Sequence, residues 1–299
     1  MKEIKRKRSE VLVGATVGGD CARLCFGGDT LVSTAVADPA SGGLKHAVYS
    51  AANNIAVKGG EAIALQLTAV YPADTEEQQL KETMRELETY CNDLNIQVSG
   101  GSTEISEDVS KPIYSVTVTG AIENEAVETK KAGPGDSVVI IGKIGLEGTA
   151  ILADKHREEL MNKFPADMIY RAQDFGKLLS VRKAAAIAMK SGVTAMHDIS
   201  RGGVFAALWE IAESLGVGLE TDLRKIPVMQ ETIEICNFFD LNPYEMVSGG
   251  AIIAVTSNAE ELIMNLGKEG IDATTVGILT DSNDRVLING EARRFLERP

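Results

Sequence analysis

Acidic residues beside glycine pairs are the clearest chemical signal in this 299-residue sequence. The glycines concerned are Gly18, Gly19, Gly100, Gly101, Gly202 and Gly203. Glycine turns let backbone N–H groups approach phosphate closely, and nearby carboxylates such as Asp20, Asp38 and Glu104 supply the oxygen ligands that Mg²⁺ prefers. Together they indicate a Mg-nucleotide site, although any one of these residues is also typical of an ordinary turn.

His197 and Asp198, just before Gly202, are candidate catalytic residues. The imidazole could orient a phosphate or donate a proton, but a histidine that is hydrogen-bonded at a turn for structural reasons explains the pattern equally well. Trp209, the only tryptophan, lies beside the apolar stripe of a predicted helix. Its position favours packing in a core or interface over ligand stacking.

Composition excludes several classes of protein. The chain has 44% hydrophobic and 24% charged residues, as ordinary globular proteins do. A net charge of −13 argues against a general nucleic-acid binder, and the basic stretch at 2–8 is most simply a solvated terminus. No apolar run reaches the roughly 18 residues of a membrane helix, and no signal peptide is evident, so we expect a cytoplasmic protein with no membrane contact.

Strands and helices alternate along the chain, which predicts α/β (α+β) architecture. Predicted elements of the first half are strands at 22–26, 30–36, 62–70, 96–99 and 113–122 and helices at 44–58 and 75–92, with a hairpin turn at 27–29. In the second half, helices are predicted after Gly145, near 178–190 and at 204–215, and strands at 138–141 and near 218–221, 251–255, 274–277 and 286–288. Gly100-Gly101 is interpreted as a turn between strands. The glycines and proline at 132–136 mark the best boundary, so the predicted domains are 1–132 and 133–299.

Seven segments occur in an order typical of a known family. They are 14–22, 33–39, 51–60, 99–104, 135–136, 145–152 and 196–210. For example, 51–60 reads A-A-N-N-I-A-V-K-G-G and resembles A-x-N-D-I-A-x-x-G-A, whereas 196–203 reads M-H-D-I-S-R-G-G and resembles H-D-x-T-x-G-G after its first residue. The sequence thereby resembles the superfamily of aminoimidazole-ribonucleotide (AIR) synthase and the hydrogenase-maturation protein HypE, and its HypE-like branch most of all.

The resemblance implies a fold and a site. Two N-terminal domains would pair into a shared β-barrel in a homodimer, and ATP would lie between the N- and C-terminal domains with Mg²⁺ on its phosphates. Asp20, Asp38 and Glu104 fall on the acidic positions that hold metal and phosphate. The glycines named above fall on or near the nucleotide-binding segments.

Departures from the family pattern bear on activity. Asn54 stands where relatives carry Asp, so a fourth metal position has lost its charge, and Ser102 replaces a common His. The hydrogenase-maturation enzymes use a C-terminal cysteine as carrier of the carbamoyl group, whereas no cysteine follows Cys236 in this sequence. We therefore expect that chemistry, in its usual form, to be absent.

Two functions follow from these observations. The first is an ATP- and Mg-dependent enzyme of phosphotransferase, ligase or dehydratase type. It would activate an oxygen of a small molecule, or an oxygen of a carbamoyl or amide group that is carried by a small molecule or by a protein. The alternative is a degenerate, non-catalytic nucleotide-binding or partner subunit with the same fold. Asn54 favours the second, whereas Asp20, Asp38 and Glu104 favour the first.

Overall fold

The computed structural model describes residues 11–13, 21–25, 28–122 and 132–299, which fall into two compact units, Met1–Ala126 and Val127–Pro299. Among these residues, every helix is too short or too polar to span a bilayer.

The described part of unit 1 contains a mixed six-stranded sheet in the order β1-β2-β3-β6-β4-β5. Its neighbours are antiparallel except for β4 and β5, which run parallel. The strands are β1 Val11–Val13, β2 Ala22–Cys25, β3 Asp29–Ala37, β4 Glu61–Pro72, β5 Gln97–Ser106 and β6 Ile113–Ala121. The short connection between β2 and β3 agrees with the predicted hairpin.

Two long helices, α1 Gly43–Ala56 and α2 Glu77–Leu94, follow β3 and β4. The apolar residues of α1 recur at helical spacing, with Ala47, Ala51 and Ile55 fully buried, so the helix covers β3, β6 and β4. Helix α2 buries Leu87 and Cys91 and packs beside α1 and β5. Both helices were predicted from periodicity, within a few residues at each end.

The opposite face of this sheet has no helix over it in the described part of unit 1. Alternation along β3 and β6 buries one set of side chains under α1 and directs the other set away from it. Val36 is 48% exposed and Ile113 38% exposed on this side. We call it the open face; it comprises Thr34, Val36, Gln66, Thr68, Val70, Ile113, Ser115 and Thr117.

Strand β5 corrects one sequence prediction. Gly100 and Gly101 lie inside a continuous strand rather than in a turn, and Glu104 lies in the same strand. Gly101 has φ +152°, and a Cβ atom there would lie 1.9 Å from the carbonyl oxygen of Leu67 on β4. Glycine is therefore required for the close approach of two parallel strands. Local composition predicted a break, but strand pairing determined the conformation.

The described part of unit 2 contains a seven-stranded sheet in the order β13-β12-β9-β11-β7-β10-β8. Only β12 and β9 are parallel neighbours. The strands are β7 Ser137–Ile141, β8 Ala195–Ile199, β9 Gly218–Asp222, β10 Ala251–Thr256, β11 Ala273–Thr280, β12 Arg285–Asn289 and β13 Ala292–Phe295. Strands β7, β8 and β10 are almost entirely buried, which explains the nearly continuous apolar sequences of β7 and β10, whereas β8 also buries two polar side chains.

Helices flank this sheet. They are α3 Leu146–Lys155, α4 Arg157–Met161, α5 Ala166–Asp174, α6 Arg182–Lys190, α7 Gly203–Leu215, α8 Gln230–Phe238 and α9 Ala259–Lys268. Helix α7 contributes Val204, Leu208 and Ile211 to the main core beside β8, and α9 packs against β11. The sequence predicted α3, α6 and α7, with α6 beginning later than expected. It missed α4, α5, α8 and α9.

Candidate functional site

Asp38 lies at the end of β3 and caps the short 3₁₀ turn Pro39–Ser41. Its Oδ1 accepts hydrogen bonds from the backbone N–H groups of Ala40 at 2.9 Å and Ser41 at 3.0 Å. This is the capping arrangement for which Asp is favoured, so one carboxylate oxygen has a local structural role. The side chain is nevertheless exposed, and its negative charge stands beside the entry to α1.

Asn54 lies near the other end of α1, far from Asp38. Its Nδ2 donates to Oγ of buried Ser33 at 3.0 Å, and its backbone carbonyl accepts from Sγ of Cys21 at 3.7 Å. Ser33 precedes Asp38 by five residues of extended chain, which is about 16 Å. Two of the predicted metal ligands are therefore well separated, because α1 runs back along the strand that it covers.

Glu104 lies on β5, at the same end of the sheet as Asp38. Ala37, the residue before Asp38, pairs with Tyr114 of β6. Ile113, which precedes Tyr114, pairs with Val70 of β4, and Val70 in turn pairs with Glu104. Asp38 and Glu104 are thus three strand spacings apart, about 14 Å. One Mg²⁺ ion, with ligands at about 2.1 Å, cannot contact both in one chain.

Consistent with this separation, the described residues contain no cluster of three or more His, Cys, Asp or Glu side chains suited to a metal ion. Gly18, Gly19 and Asp20 lie outside the described residues. Cys21, which follows Asp20 in sequence, is the described neighbour of Asn54. The predicted metal positions thus do not form one cluster in the described part of unit 1.

His197 and Asp198 are both buried in β8 of unit 2. The Nε2 atom of His197 lies 2.9 Å from Oε2 of Glu210 on α7, and His197 pairs in register with the core residue Ile253. Successive side chains of a strand point to opposite faces, so Asp198 faces away from α7. The structure therefore does not bring the two predicted catalytic side chains together. It favours the structural interpretation of His197, which lies in a strand rather than in a turn.

Gly202 and Gly203 form the tight entry to α7, with φ of +75° and +64°. At Gly203 a Cβ atom would lie 2.3 Å from the carbonyl oxygen of Tyr244, so the glycine allows the loop before β10 to pack on the helix. The Gly203 N–H already donates to the carbonyl of Ser200 at 3.2 Å. This geometry explains both glycines without a ligand, whereas their role in nucleotide binding stays a prediction.

A cavity beside Gly202 was not predicted from the sequence. It has a volume of about 640 Å³ and is lined by the start of α7, by β12, and by β13 with the chain that follows it. Its charged lining residues are Glu245, Arg294, Glu297 and Arg298. The arginine-rich stretch 293–298 was the available signal, but composition alone does not show that two of these side chains border a cavity beside α7.

Several solved structures share the fold of this chain. HypE in the HypE–HypF complex shares 24% identity, with 95% of this chain and 94% of that chain covered and a TM-score of 0.77. HypE in complex with ATP has a TM-score of 0.76 at 21% identity, over 93% of this chain and 87% of that chain. AaThiL complexed with AMPPCP and TMP has a TM-score of 0.72 at 19% identity, over 93% and 89%. Below 25% identity these similarities show the fold alone.

Both halves of the sequence also match family descriptions. Residues 14–122 match the N-terminal domain and residues 133–289 the C-terminal domain of AIR synthase related proteins. The chain therefore belongs to the AIR synthase related protein family, as its motif order indicated. Relatives include a putative hydrogenase expression/formation protein of Methanocaldococcus jannaschii (25% identical, covering 85% of this chain and 75% of the relative) and the carbamoyl dehydratase HypE of Rhodobacter capsulatus (27%, 89% and 78%).

Proposed function

We propose that this protein binds ATP and transfers a phosphoryl group to an oxygen of a small-molecule or protein-borne carbamoyl or amide substrate. The observation that carries the proposal is the match to both domains of the family, together with a fold shared with HypE in complex with ATP and with AaThiL in complex with AMPPCP. Relatives named carbamoyl dehydratase support a carbamoyl-type acceptor. A protein-borne acceptor is consistent with the solved HypE–HypF complex.

The proposed chemistry depends on positioning and charge neutralisation. Phosphoryl transfer needs little covalent participation by the protein, so glycines, acids and a metal suffice without a nucleophile. Mg²⁺ in such sites is usually held by one or two carboxylates and by the phosphates themselves, so a complete cage of protein ligands is not required. We propose Asp20 as the principal metal ligand and Asn54 as a neutral neighbour.

Asp38, Glu104 and Asp198 complete the proposed set of acidic residues. The separation of Asp38 from Glu104 means that each would act on a different part of the bound ligand. Asp198, buried in β8, is the proposed acidic residue of unit 2. We propose that the sequence segments around Gly18, Gly100 and Gly202 border the nucleotide, with domain limits at 1–132 and 133–299.

The test uses Asn54→Asp. In a weakened ATP-using enzyme, the added charge should tighten Mg²⁺ binding and raise phosphate release, because it acts on the metal at close range in a partly buried position. Steady-state phosphate release and the melting shift caused by Mg-ATP are measured for both proteins. Ser33→Ala is the matched control, because it removes the hydrogen-bond acceptor of Asn54 without adding charge.

Two results would contradict the proposal. If neither wild type nor Asn54→Asp releases phosphate, but Mg-ATP still raises the melting temperature, the protein is a nucleotide-binding subunit without catalysis. The Asn54–Ser33 hydrogen bond favours this second candidate, because it occupies the amide with a neutral partner. If Mg-ATP neither shifts the melting temperature nor is hydrolysed in either protein, nucleotide binding itself is excluded.

A further inference from the structure

The cavity beside Gly202 has features of a ligand site within unit 2. Its volume of about 640 Å³ is within the range of small-molecule pockets. Phe205, Leu287 and Leu296 supply apolar walls, and the side chains of Arg294 and Arg298 supply positive charge. The feature is therefore a half-open cavity with apolar walls and charged side chains at its border.

The two arginines are held by aromatic rings rather than by carboxylates. The guanidinium carbon of Arg294 lies 5.1 Å from the ring centre of Phe205, and that of Arg298 lies 5.7 Å from the ring centre of Trp209. Phe205 is itself stacked on Tyr244, with ring centres 5.2 Å apart. Such contacts fix the planar guanidinium while leaving its N–H donors available.

Neighbouring arginines behave differently. Arg293, on the same strand as Arg294, forms an ion pair with Glu220, and Arg285 forms one with Glu213 at 2.5 Å. Within the described residues, Arg294 and Arg298 form no such ion pair. They are thus the cavity's two guanidinium groups that remain able to bind an added oxyanion in a forked geometry.

The acidic residues of the lining limit the kind of anion. Glu245, which accepts a hydrogen bond from Nδ2 of Asn242 at 2.8 Å, and Glu297 balance the formal charge of the two arginines. A polyphosphate would be repelled by these carboxylates, whereas a compact oxyanion can contact the arginines alone. The apolar walls suit a small hydrocarbon body attached to that oxyanion.

We propose that this cavity binds a small molecule carrying one compact oxyanion, a carboxylate or a phosphate monoester, through Arg294 and Arg298. All of the lining residues belong to unit 2. Because Gly202 is also in a segment that we propose to border the nucleotide, the test below includes the melting shift caused by Mg-ATP. Helix α7 adds a favourable dipole at Gly202, although the N–H groups of Gly203 and Phe205 already donate to carbonyl oxygens of the chain. Binding would therefore rest on the arginine side chains.

Trp209 provides the readout, because it is the only tryptophan and Arg298 lies against its ring. Its fluorescence is titrated with potassium phosphate and, separately, with sodium acetate, at ionic strength held constant with sodium chloride. Melting temperature is recorded in parallel, since a bound anion stabilises the folded state whether or not fluorescence changes. We expect saturation with a Kd of about 1–10 mM, the range of single-fragment binding.

Substitutions of single arginines test which side chains bind the anion. Arg294→Ala and Arg298→Ala should each weaken binding about tenfold, the size expected for a charge-assisted hydrogen bond. Arg294→Lys keeps the charge but loses the fork, so its affinity should fall between those of wild type and Arg294→Ala. Arg293→Ala is the matched control, because its side chain is paired with Glu220, and it should bind as wild type does. Saturation by phosphate alone identifies a phosphate ester, and saturation by both anions a general oxyanion site.

Three results would overturn the proposal. One is the absence of saturable change, in fluorescence and in melting temperature, for both anions. Another is equal weakening by Arg293→Ala. The third is loss of the Mg-ATP melting shift in Arg294→Ala and Arg298→Ala to the same extent as the phosphate effect, because these arginines would then belong to the nucleotide site. Failure of ATP binding with intact phosphate binding would instead affect only the proposed function.

Discussion

At the scale of single residues, Asp38 combines a structural contact with a charge that was predicted to act on a ligand. Asp38→Asn keeps an oxygen for the 3₁₀ cap and removes the charge, so the melting temperature without ligand should change little. We expect Mg-ATP affinity, measured by calorimetry, to fall about tenfold, because the phosphate and metal charges would be less well compensated. Asp38→Ala is the control and should lose stability of about 1 kcal/mol with the cap. Unchanged affinity in Asp38→Asn would leave Asp38 with the capping role alone.

His197 was predicted as a candidate catalytic residue, but its burial and its contact with Glu210 indicate a structural role. His197→Ala should lower the free energy of unfolding by about 2 kcal/mol, since a buried hydrogen bond and packing are lost together. Phosphate release per folded molecule should be unchanged. Glu210→Gln keeps a hydrogen-bonding partner and should cost less. A variant that melts as wild type does but releases no phosphate would restore the catalytic role.

At the scale of elements, the packing of α2 should be sensitive to alkali. Burial raises the pKa of the Cys91 thiol from 9.0 to about 11 and that of the Tyr90 hydroxyl from 10.0 to about 12. Burial likewise raises the pKa of Tyr114 to about 12, and burial followed by the hydrogen bond to Asp93 raises the pKa of Tyr49. These groups stay protonated in the folded protein at a pH where the unfolded chain has lost the protons.

The direction in which folding stability changes with pH follows from the number of protons that each state binds. Because the unfolded state binds fewer protons above pH 9, stability is full below that pH and falls as the pH rises towards about 12. Urea unfolding at a series of pH values measures how steeply the free energy of unfolding falls with pH. Cys91→Ala should flatten this slope between about pH 9 and 11, whereas Cys25→Ala, at a half-buried position, serves as the control. Equal slopes for wild type and Cys91→Ala would contradict the assignment.

At the scale of the whole molecule, the open face predicts a homodimer. In the described part of unit 1 this face has no helix over it and carries exposed apolar side chains, and edge strand β5 is exposed as well. A second copy of the chain supplies the same surface to cover it. Sedimentation at micromolar concentration should show a dimer for wild type. Val36→Lys or Ile113→Lys should shift it towards monomer with unchanged circular dichroism, because a buried unpaired charge opposes association.

Met264→Lys tests the specificity of that result. Met264 on α9 is 54% exposed, slightly more than Val36, but it belongs to unit 2 and is not a residue of the open face. Its replacement should leave the dimer intact. A stable wild-type monomer at micromolar concentration would contradict the dimer prediction, as would equal dissociation by all three variants.

Features that depend on local pattern and on the order of motifs could be predicted from the amino-acid sequence. Helix α1 and helix α7 were predicted because their apolar residues repeat at helical spacing, and the buried strand β10 because its apolar run is short and β-branched. Motif order identified the family over both halves of the chain. These features can be predicted because each helix, strand or motif depends on residues that are close together in the chain.

Contacts between residues far apart in the chain could not be predicted and are known only from the folded structure. Gly100-Gly101 resembled a turn, but the carbonyl of Leu67 on a neighbouring strand makes glycine necessary in an extended conformation. Asp38 and Glu104, both predicted to hold metal or phosphate, are three strand spacings apart because β6 and β4 lie between β3 and β5. Strand order and register are set by pairing between residues far apart in the chain, and no local pattern encodes that pairing.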